Sequence, residues 1–236
     1  EKSKLKKILK DNFIVYPPHY IYFEKFNFLS KGEPLNRFKN FIQNKKEFYS
    51  IINFLEPNSK SINEVKKSLN ILAKDKIVTF TIRDYKFDEI RNTNYDFVKS
   101  LHKFFKDKGY RFIVIPDHKN QSPNLDMEIF FDATINTHER IAIYNIAKIN
   151  IGTVGGPLWL ARYMPGVNMF LTNVALDGDH IGSYQDLRKY YGSNFNKNTQ
   201  PFQEFDMHLI FGPEDNIEKL ISNKSFKQIM RINDSF

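Results

Sequence analysis

The chain has 236 residues, with 35 Lys and Arg side chains against 27 Asp and Glu side chains, and it has no cysteine. The lack of cysteine excludes disulfide scaffolds, iron–sulfur clusters, cysteine-based zinc sites and thiolate nucleophiles. The six histidines show no HxxxH or HExxH spacing, so we expect no structural metal. The longest apolar runs have the length of strands and fall short of the roughly 20 residues of a membrane helix, which predicts a soluble protein.

The net charge of +8 suits an anionic partner such as a nucleotide, a lipid phosphate or a nucleic acid. Many lysines alternate with acidic residues in helical stretches, however, and this pattern is typical of a solvated helix face. No RNP motif, basic heptad region or helix-turn-helix spacing is present, which disfavours nucleic acid. Because the chain begins with Glu1 rather than Met, we expect it to be part of a longer protein.

Residues 1–75 form a string of short predicted elements. They include a helix fragment, a strand closed by two prolines, and an amphipathic helix over 34–55. A further helix is predicted over 62–74, with Ser61 or Asn63 as its N-cap. Three apolar residues at helical spacing are its expected core contacts: Val65, Leu69 and Leu72. This segment is interpreted as a reduced or partial N-terminal lobe with linker helices.

Residues 76–236 alternate between strand and helix patterns. The predicted strands are 76–84, 110–117, 127–135, 149–153 and 167–174, and the predicted helices are 93–109, 138–148, 156–164, 214–223 and 224–232. Thr93 and Asp96 are spaced as a capping box for the first of these helices, and Gly109 is placed to end it. A long surface excursion is expected over 175–206. The alternation predicts a Rossmann-like α/β fold, with a parallel sheet, helices on both faces and ligands beyond the carboxyl ends of the strands.

A glycine-containing turn follows the strand 149–153. Thr153 ends the strand, Gly155 and Gly156 allow close approach of a ligand, and Pro157 suits the first position of a helix. Free N–H groups at a helix start favour an anion, so the turn is a candidate diphosphate site. The alternative is a tight turn without a ligand. The sequence matches neither a Walker A loop nor a GxGxxG fingerprint.

Polar residues follow the strand 76–84. Arg83 and Asp84 lie at its carboxyl end, and Arg91 and Asn92 precede the next helix. Arginine binds phosphate through two parallel hydrogen bonds, and these positions share a sheet edge with the glycine turn. The alternative is a surface arginine paired with a nearby Asp.

Two further groups are candidates for binding or proton transfer. Asp117 and His118 end the strand 110–117, where they could bind a sugar hydroxyl or a base edge, or transfer a proton, or simply cap the turn. Glu139 opens a helix and is a candidate for the same cleft, although an acidic residue in a first helical turn also has a dipole explanation. His19 is a weaker candidate.

The motifs IVTFTIRD, RNTNYDFVKSLHKFFKDKGYRFIVIPD and AIYNIAKINIGTVGGPLWLARYMPGVNMFLTN resemble a known family. They are similar to the C-terminal, nucleotide-sugar-binding lobe of GT-B-fold glycosyltransferases, especially bacterial enzymes of surface polysaccharide assembly. The resemblance covers about residues 64–174. It implies that two sets of residues lie at the donor diphosphate or near its cleft: Thr153, Gly155, Gly156 and Pro157, together with Arg83, Arg91 and Asn92.

The resemblance implies an enzyme that moves a sugar from a nucleoside-diphosphate donor to a glycan or lipid-linked acceptor, in the cytoplasm at the inner membrane surface. It implies no bound metal and no cofactor besides the donor substrate. Residues 1–75 are too few for a full first lobe, which often supplies the catalytic base. The candidates for this base are Asp84, His118 and His19. Open alternatives are a non-catalytic nucleotide- or glycan-binding module and a basic RNA- or membrane-surface-binding protein.

Overall fold

The structure is a computed structural model that describes residues 55–86, 89, 92–118, 125–153, 157–164, 166–174, 207–211 and 216–231. The elements predicted within residues 1–54 lie outside these ranges, as does the excursion 175–206. The domain boundary after residue 75 also stays a prediction. Within the described ranges, no helix combines the length and the apolar character that crossing a membrane requires.

Strands and helices alternate along the described chain, as predicted. The strands are β1 (Ile77–Ile82), β2 (Arg111–Pro116), β3 (Glu128–Ile129), β4 (Ile149–Thr153), β5 (Met169–Val174) and β6 (Met207–Phe211). The helices are α1 (Ser59–Ser68), α2 (Tyr95–Asp107), α3 (Asp132–Ile135), α4 (Thr137–Ile146), α5 (Glu218–Ile221) and α6 (Lys224–Met230), and a 3₁₀ helix covers Pro157–Tyr163.

The strands form one six-stranded sheet in the order β3-β2-β1-β4-β5-β6. Every strand pairing is parallel, which confirms the predicted Rossmann-like α/β class. The chain runs outward from β1 to β3 and then returns to place β4 on the other side of β1. The strand order therefore reverses between β1 and β4, and in such sheets this switch point is where ligands bind.

Helices cover both faces of the sheet. Successive side chains of β1 point to opposite faces, so they contact different helices. On one face, Phe80 of β1 meets Phe97 of α2, with ring centroids 6.3 Å apart. On the other face, the hydroxyl of Thr81 lies 2.7 Å from the phenol oxygen of Tyr144 in α4. All six residues of β1 are buried, as expected for a strand that is covered on both sides.

An aromatic cluster forms the core on the α2 face. Phe105 is fully buried, with its ring 5.8 Å from that of Phe112 and 6.0 Å from that of Phe226 in α6. Phe226 also packs edge-on against Phe170 of β5. The cluster packs α2 and α6 against the sheet. Truncation of a buried Phe to Ala typically costs about 3–5 kcal/mol.

The first helix begins earlier than predicted. Asn58, rather than Ser61 or Asn63, is its N-cap, because the Asn58 side chain accepts a hydrogen bond of 2.8 Å from the Ser61 N–H. The helix also ends at Ser68, so Leu72 lies beyond it and is 56% exposed. The prediction that Leu72 belongs to the core is therefore wrong.

The cap of α2 differs from the prediction by one residue. Asn94, not Thr93, is the N-cap, and its side-chain oxygen accepts from the N–H groups of Asp96 and Phe97. Gly109 follows the helix with a φ of 72°, the left-handed conformation predicted for it. The hydroxyl of Thr93 is used at the sheet edge instead.

Three other elements depart from the predictions. The strand predicted over 127–135 is limited to β3, because the chain then turns into α3, where Ala133 is buried. The helix that begins at Pro157 is a 3₁₀ helix rather than an α-helix. Strand β6 was not predicted.

Candidate functional site

The candidate site lies at the carboxyl ends of β1, β2 and β4, around the switch point of the sheet. Arg83 directly follows β1, Asp117 follows β2, and Thr153 is the last residue of β4. All three side chains are buried, at 5%, 6% and 1% exposure. Burial of a guanidinium and a carboxylate at strand ends is unusual for side chains with only a solvent role.

Thr93 joins the ends of β1 and β4. Its hydroxyl accepts a hydrogen bond of 2.9 Å from the main-chain N–H of Arg83 and lies 2.6 Å from the hydroxyl of Thr153. The Thr93 N–H in turn donates to the carbonyl oxygen of Arg83 at 2.8 Å. Arg83 and Thr153 therefore lie on the same edge of the sheet, as predicted. Gly155 and Gly156 lie outside the described residues.

Two contacts orient the side chain of Arg83. Its Nη1 donates to Oδ1 of Asn92 at 2.9 Å, and its guanidinium carbon lies 4.9 Å from the centre of the Tyr85 ring. The amide holds one edge of the guanidinium, and the ring supports one face through a cation–π interaction.

Asp117 lies among aromatic and cationic groups. Burial raises the pKa of its carboxyl, while the nearby Tyr85 phenol and the charges of Arg140, Arg83 and His118 oppose this rise. The pKa of the Tyr85 phenol is raised as well, through burial and the nearby Asp117 carboxylate. The His118 ring lies 4.9 Å from the Tyr85 ring, which completes a cluster at the ends of β1 and β2.

Arg140 brings a second buried guanidinium to this edge. It extends from α4, is 3% exposed, and donates to the carbonyl oxygens of Ala133 and Pro116 at 2.6 and 2.9 Å. Its Nη1 lies 3.4 Å from the Tyr144 phenol oxygen. These acceptors are uncharged, so Arg140 anchors the end of β2 and contributes positive charge to the edge.

Two of the candidate bases lie close together. The exposed Asp84 carboxylate accepts a hydrogen bond of 3.2 Å from the Tyr95 phenol, and burial together with Asp84 raises the pKa of Tyr95 to about 12. His118 Nε2 lies 3.2 Å from the carbonyl oxygen of Asp84. His19, the third candidate, lies outside the described residues.

The remaining predicted residues occupy different places. Glu139 accepts a hydrogen bond of 2.9 Å from Asn136, and burial and the Asp132 carboxylate raise its pKa, so it belongs to the start of α4 rather than to the cluster around Arg83. Pro157 is the first residue of the 3₁₀ helix, as its position predicted. Arg91 lies outside the described residues.

Gly152 sets how closely the 3₁₀ helix approaches the sheet. A Cβ atom at this position would lie 2.7 Å from the carbonyl oxygen of Thr81 and 2.9 Å from Leu158 Cδ2. The lack of a side chain therefore leaves room for Leu158 of the 3₁₀ helix and for the carbonyl oxygen of Thr81 in β1. Among the described residues, no group of three or more His, Asp or Glu side chains is arranged to hold a metal ion.

Sequence reasoning missed three residues that shape this edge: Tyr85, Thr93 in its bridging role, and Asn173. Asn173 lies in an irregular part of β5 with a φ of 53°, and its side-chain N–H donates to the Asn92 carbonyl oxygen at 3.3 Å. Their proximity to the strand ends was the available signal, since Tyr85 comes two residues after Arg83 and Asn173 lies near the end of β5.

No protein-family model and no curated protein matches the chain. It is similar to the solved structure of a glycosyl transferase of family 9 from Veillonella parvula DSM 2008, with 13% identity, a TM-score of 0.45, and coverage of 76% of this chain and 46% of that one. The corresponding values for the ADP-heptose lps heptosyltransferase II of E. coli are 8%, 0.48, 75% and 53%.

The wall teichoic acid polymerase TagF is another similar structure, with 16% identity, a TM-score of 0.41, and coverage of 73% of this chain and 39% of that one. The chain thus spans about half, or less, of the length of these structures.

Proposed function

We propose that the chain is the donor-binding part of a glycosyltransferase. This glycosyltransferase moves a sugar from a nucleoside-diphosphate donor to a glycan or lipid-linked acceptor in surface polysaccharide assembly. The enzyme needs no bound metal and acts in the cytoplasm, at the inner membrane surface. The proposal rests on the motifs quoted above and on the site that the described residues form.

One observation carries the proposal. Arg83 and Thr153 meet through Thr93 at the switch point between β1 and β4, within a parallel sheet that reverses its strand order there. This is the position at which sheets of this kind bind nucleotides. A buried guanidinium at that position suits a diphosphate, whose oxygen atoms accept the planar pair of hydrogen bonds that arginine offers.

The charges of the site suit the departure of a diphosphate. In the transfer, the acceptor hydroxyl oxygen forms a bond to the anomeric carbon, and the bond from that carbon to the diphosphate breaks. Negative charge then grows on the leaving group, where preorganised cationic donors lower the barrier. Arg83 is the donor at the switch point, and the buried Arg140 adds to the positive potential of the edge.

The acceptor hydroxyl also loses a proton in this reaction. Asp84 and His118 are the described groups proposed to receive it, and they lie beside each other at the ends of β1 and β2. The segment from Pro157 to Tyr163 is a short 3₁₀ helix. Its dipole therefore contributes less to anion binding than that of the α-helix expected from the sequence. Arg83 therefore carries more of the proposed diphosphate binding.

Calorimetric titration with UDP, GDP, CDP and ADP tests the proposal. We expect saturable binding of at least one of them by the wild-type chain and binding about 100-fold weaker in Arg83→Ala. Arg111→Gln is the matched control, because Arg111 begins β2 at the opposite edge of the sheet. Absence of binding for all four nucleotides, or equal losses in the two variants, would contradict the proposal.

Product formation separates an enzyme from a binding module. Transfer from labelled nucleotide sugars to glycan or lipid-linked acceptors, assayed with the full-length protein, is expected for an enzyme. Nucleotide binding without transfer would favour the non-catalytic module. Steeply salt-dependent binding to generic RNA, with indifference to all four nucleotides, would favour the nucleic-acid alternative.

A further inference from the structure

Asn92 directs its side-chain hydrogen bonds into the protein, toward the loop that follows β1. Its Oδ1 accepts from Arg83 Nη1 at 2.9 Å and from the Tyr85 N–H at 2.9 Å. Its Nδ2 donates to the Tyr85 carbonyl oxygen at 2.8 Å. An amide oxygen has two lone pairs, so these two bonds use the acceptor capacity of Oδ1.

The amide of Asn92 thus pairs with Tyr85 as a neighbouring strand would. It bonds both the N–H and the carbonyl oxygen of Tyr85, and this fixes the main chain from which the Tyr85 ring extends. That ring supports the guanidinium of Arg83, with 4.9 Å between the guanidinium carbon and the ring centre. The Asn92 side chain therefore holds the Arg83 guanidinium in two ways. It bonds the edge of the guanidinium directly, and it supports the face of the guanidinium through Tyr85.

Thr93 holds the main chain of Arg83 in the same manner. The hydroxyl and the N–H of Thr93 bond the N–H and the carbonyl oxygen of Arg83, at 2.9 and 2.8 Å. Two consecutive residues thus secure two residues of the loop, Asn92 securing Tyr85 and Thr93 securing Arg83. We call Asn92 and Thr93 the clasp.

The clasp is itself tied to the other side of the switch point. The Asn92 N–H donates to the Glu89 carbonyl oxygen at 2.9 Å, and the Asn92 carbonyl oxygen accepts from the Asn173 side chain of β5 at 3.3 Å. The Thr93 hydroxyl meets that of Thr153 in β4. The orientation of Arg83 is therefore set by contacts that reach across β1, β4 and β5.

We propose that Asn92 is a positioning residue, which acts on diphosphate binding by fixing the guanidinium of Arg83 and not through a contact of its own with the ligand. This inference rests on the proposed function and deepens it. A guanidinium that is already held in its binding orientation loses less conformational freedom when an anion binds. Loss of the clasp would therefore weaken binding even though Arg83 is still present.

A double-mutant cycle tests the inference, with UDP, GDP, CDP and ADP as the probes. We expect Asn92→Ala to weaken nucleotide binding about 10-fold, the lower end of the effect of losing a hydrogen bond to a charged group. In the Arg83→Ala background, Asn92→Ala is expected to cause no further loss. Equal losses in both backgrounds would overturn the inference, because Asn92 would then act independently of Arg83.

Asn94→Ala is the matched control for a general loss of stability. Asn94 also accepts two main-chain hydrogen bonds through its side-chain oxygen, as the cap of α2. We expect this variant to melt at a lower temperature and to keep the wild-type nucleotide affinity. A loss of affinity equal to that of Asn92→Ala would overturn the inference.

A second readout needs no ligand and separates the clasp from the proposed function. Nitrogen NMR of the Arg83 side chain is expected to show hindered Nη rotation in the wild type, fast rotation in Asn92→Ala, and hindered rotation in Asn92→Asp, which keeps the acceptor. Unchanged rotation in Asn92→Ala would overturn the inference. If the wild type binds none of the four nucleotides, the proposed function fails, while the NMR result still decides the role of Asn92.

Discussion

Two arginines at opposite ends of the parallel strands have different surroundings. Arg111, at the start of β2, forms two hydrogen bonds with the carboxylate of Glu128, of 2.7 and 2.5 Å, and lies 3.6 Å from Asp75. Arg83, after the end of β1, is oriented by the amide of Asn92 and the ring of Tyr85. Two carboxylates thus contact the Arg111 guanidinium, whereas an amide and an aromatic ring contact that of Arg83.

The same type of side chain therefore has different contacts at the two edges of the sheet. At the amino edge, Arg111 also donates to the carbonyl oxygens of Leu69 and Asn70 after α1, so it ties that segment to β2. At the carboxyl edge, the contacts of Arg83 arise from residues of the switch point. Arg111 is thus expected to matter for stability, and Arg83 for binding.

The largest expected effect comes from removing each of the two arginines in turn. Arg83→Ala is expected to weaken nucleoside-diphosphate binding by about 100-fold, since charge-assisted contacts are lost. Arg111→Gln is expected to lower the free energy of unfolding by about 1–3 kcal/mol, because Glu128 loses its partner, with unchanged affinity. Calorimetric titration and urea unfolding measure the two quantities, and the reverse pattern would refute the comparison.

Substitution of Gly152 is expected to change both the stability of the fold and the affinity for nucleotides. Gly152→Ala places a Cβ atom 2.7 Å from the Thr81 carbonyl oxygen, so we expect a loss of about 1–3 kcal/mol in the free energy of unfolding. The added atom would also displace Leu158 of the 3₁₀ helix, and we expect this shift to weaken nucleotide binding. Both are measured by urea unfolding and calorimetric titration.

Gly109→Ala is the control for Gly152→Ala. Gly109 has a φ of 72°, and a Cβ atom added to it would meet nothing within 4 Å, so its substitution adds backbone strain without a clash. It should lower stability and leave the affinity unchanged. An unchanged affinity in Gly152→Ala as well would contradict the expected part of the 3₁₀ helix in binding.

His208 provides a pH test within the core, away from the strand ends. It is 5% exposed, stacks on Phe170 at 4.5 Å, and burial lowers its pKa from 6.5 to about 4. The unfolded state therefore binds more protons between these values, and stability should fall as the pH falls through this window. His208→Phe is expected to reduce that loss in urea unfolding followed from pH 7 to pH 4.

The exposed His138→Gln is the control for His208→Phe and should keep the wild-type pH dependence. An acid loss of the same size in wild type and His208→Phe would show that other groups cause it.

Substitution of Asp117 is expected to have the smallest effect. The pKa of Asp117 is shifted in the direction opposite to that of His208. Burial raises its pKa above the ordinary value of 3.8, so the folded state holds its proton to higher pH. This contribution to stability is present at low pH and is lost as the pH rises through the raised pKa. Asp117→Asn also removes a negative charge near Arg83, Arg140, Tyr85 and His118. We expect slightly tighter nucleotide binding in Asp117→Asn, measured by calorimetric titration, and weaker binding would contradict this interpretation of the charges.

The fold was more predictable from sequence than the contacts of the site. Strands such as β1 and β4 are continuous apolar runs whose burial on both faces leaves a local signal. Strand β6 was missed because its strand conformation depends on pairing with β5. Helix α3 was missed because its four residues are too few to show a helical pattern.

The site could be located but not assembled from the sequence. The rule that strand ends meet at one edge placed Arg83 and Thr153 together. Thr93 was interpreted as a helix cap because its partner in β4 is 60 positions away in the sequence, whereas the structure has Asn94 as the cap. Such choices between neighbouring polar residues are made by tertiary contacts.

The most direct test of diphosphate binding at the switch point is an NMR titration of the wild-type chain with UDP, GDP, CDP and ADP. The account predicts that at least one nucleotide shifts the main-chain resonances of Thr93 and Thr153 and the side-chain resonance of Arg83, while those of Arg111 stay in place. Shifts confined to the edge around Arg111, or no shift with any of the four nucleotides, would contradict it.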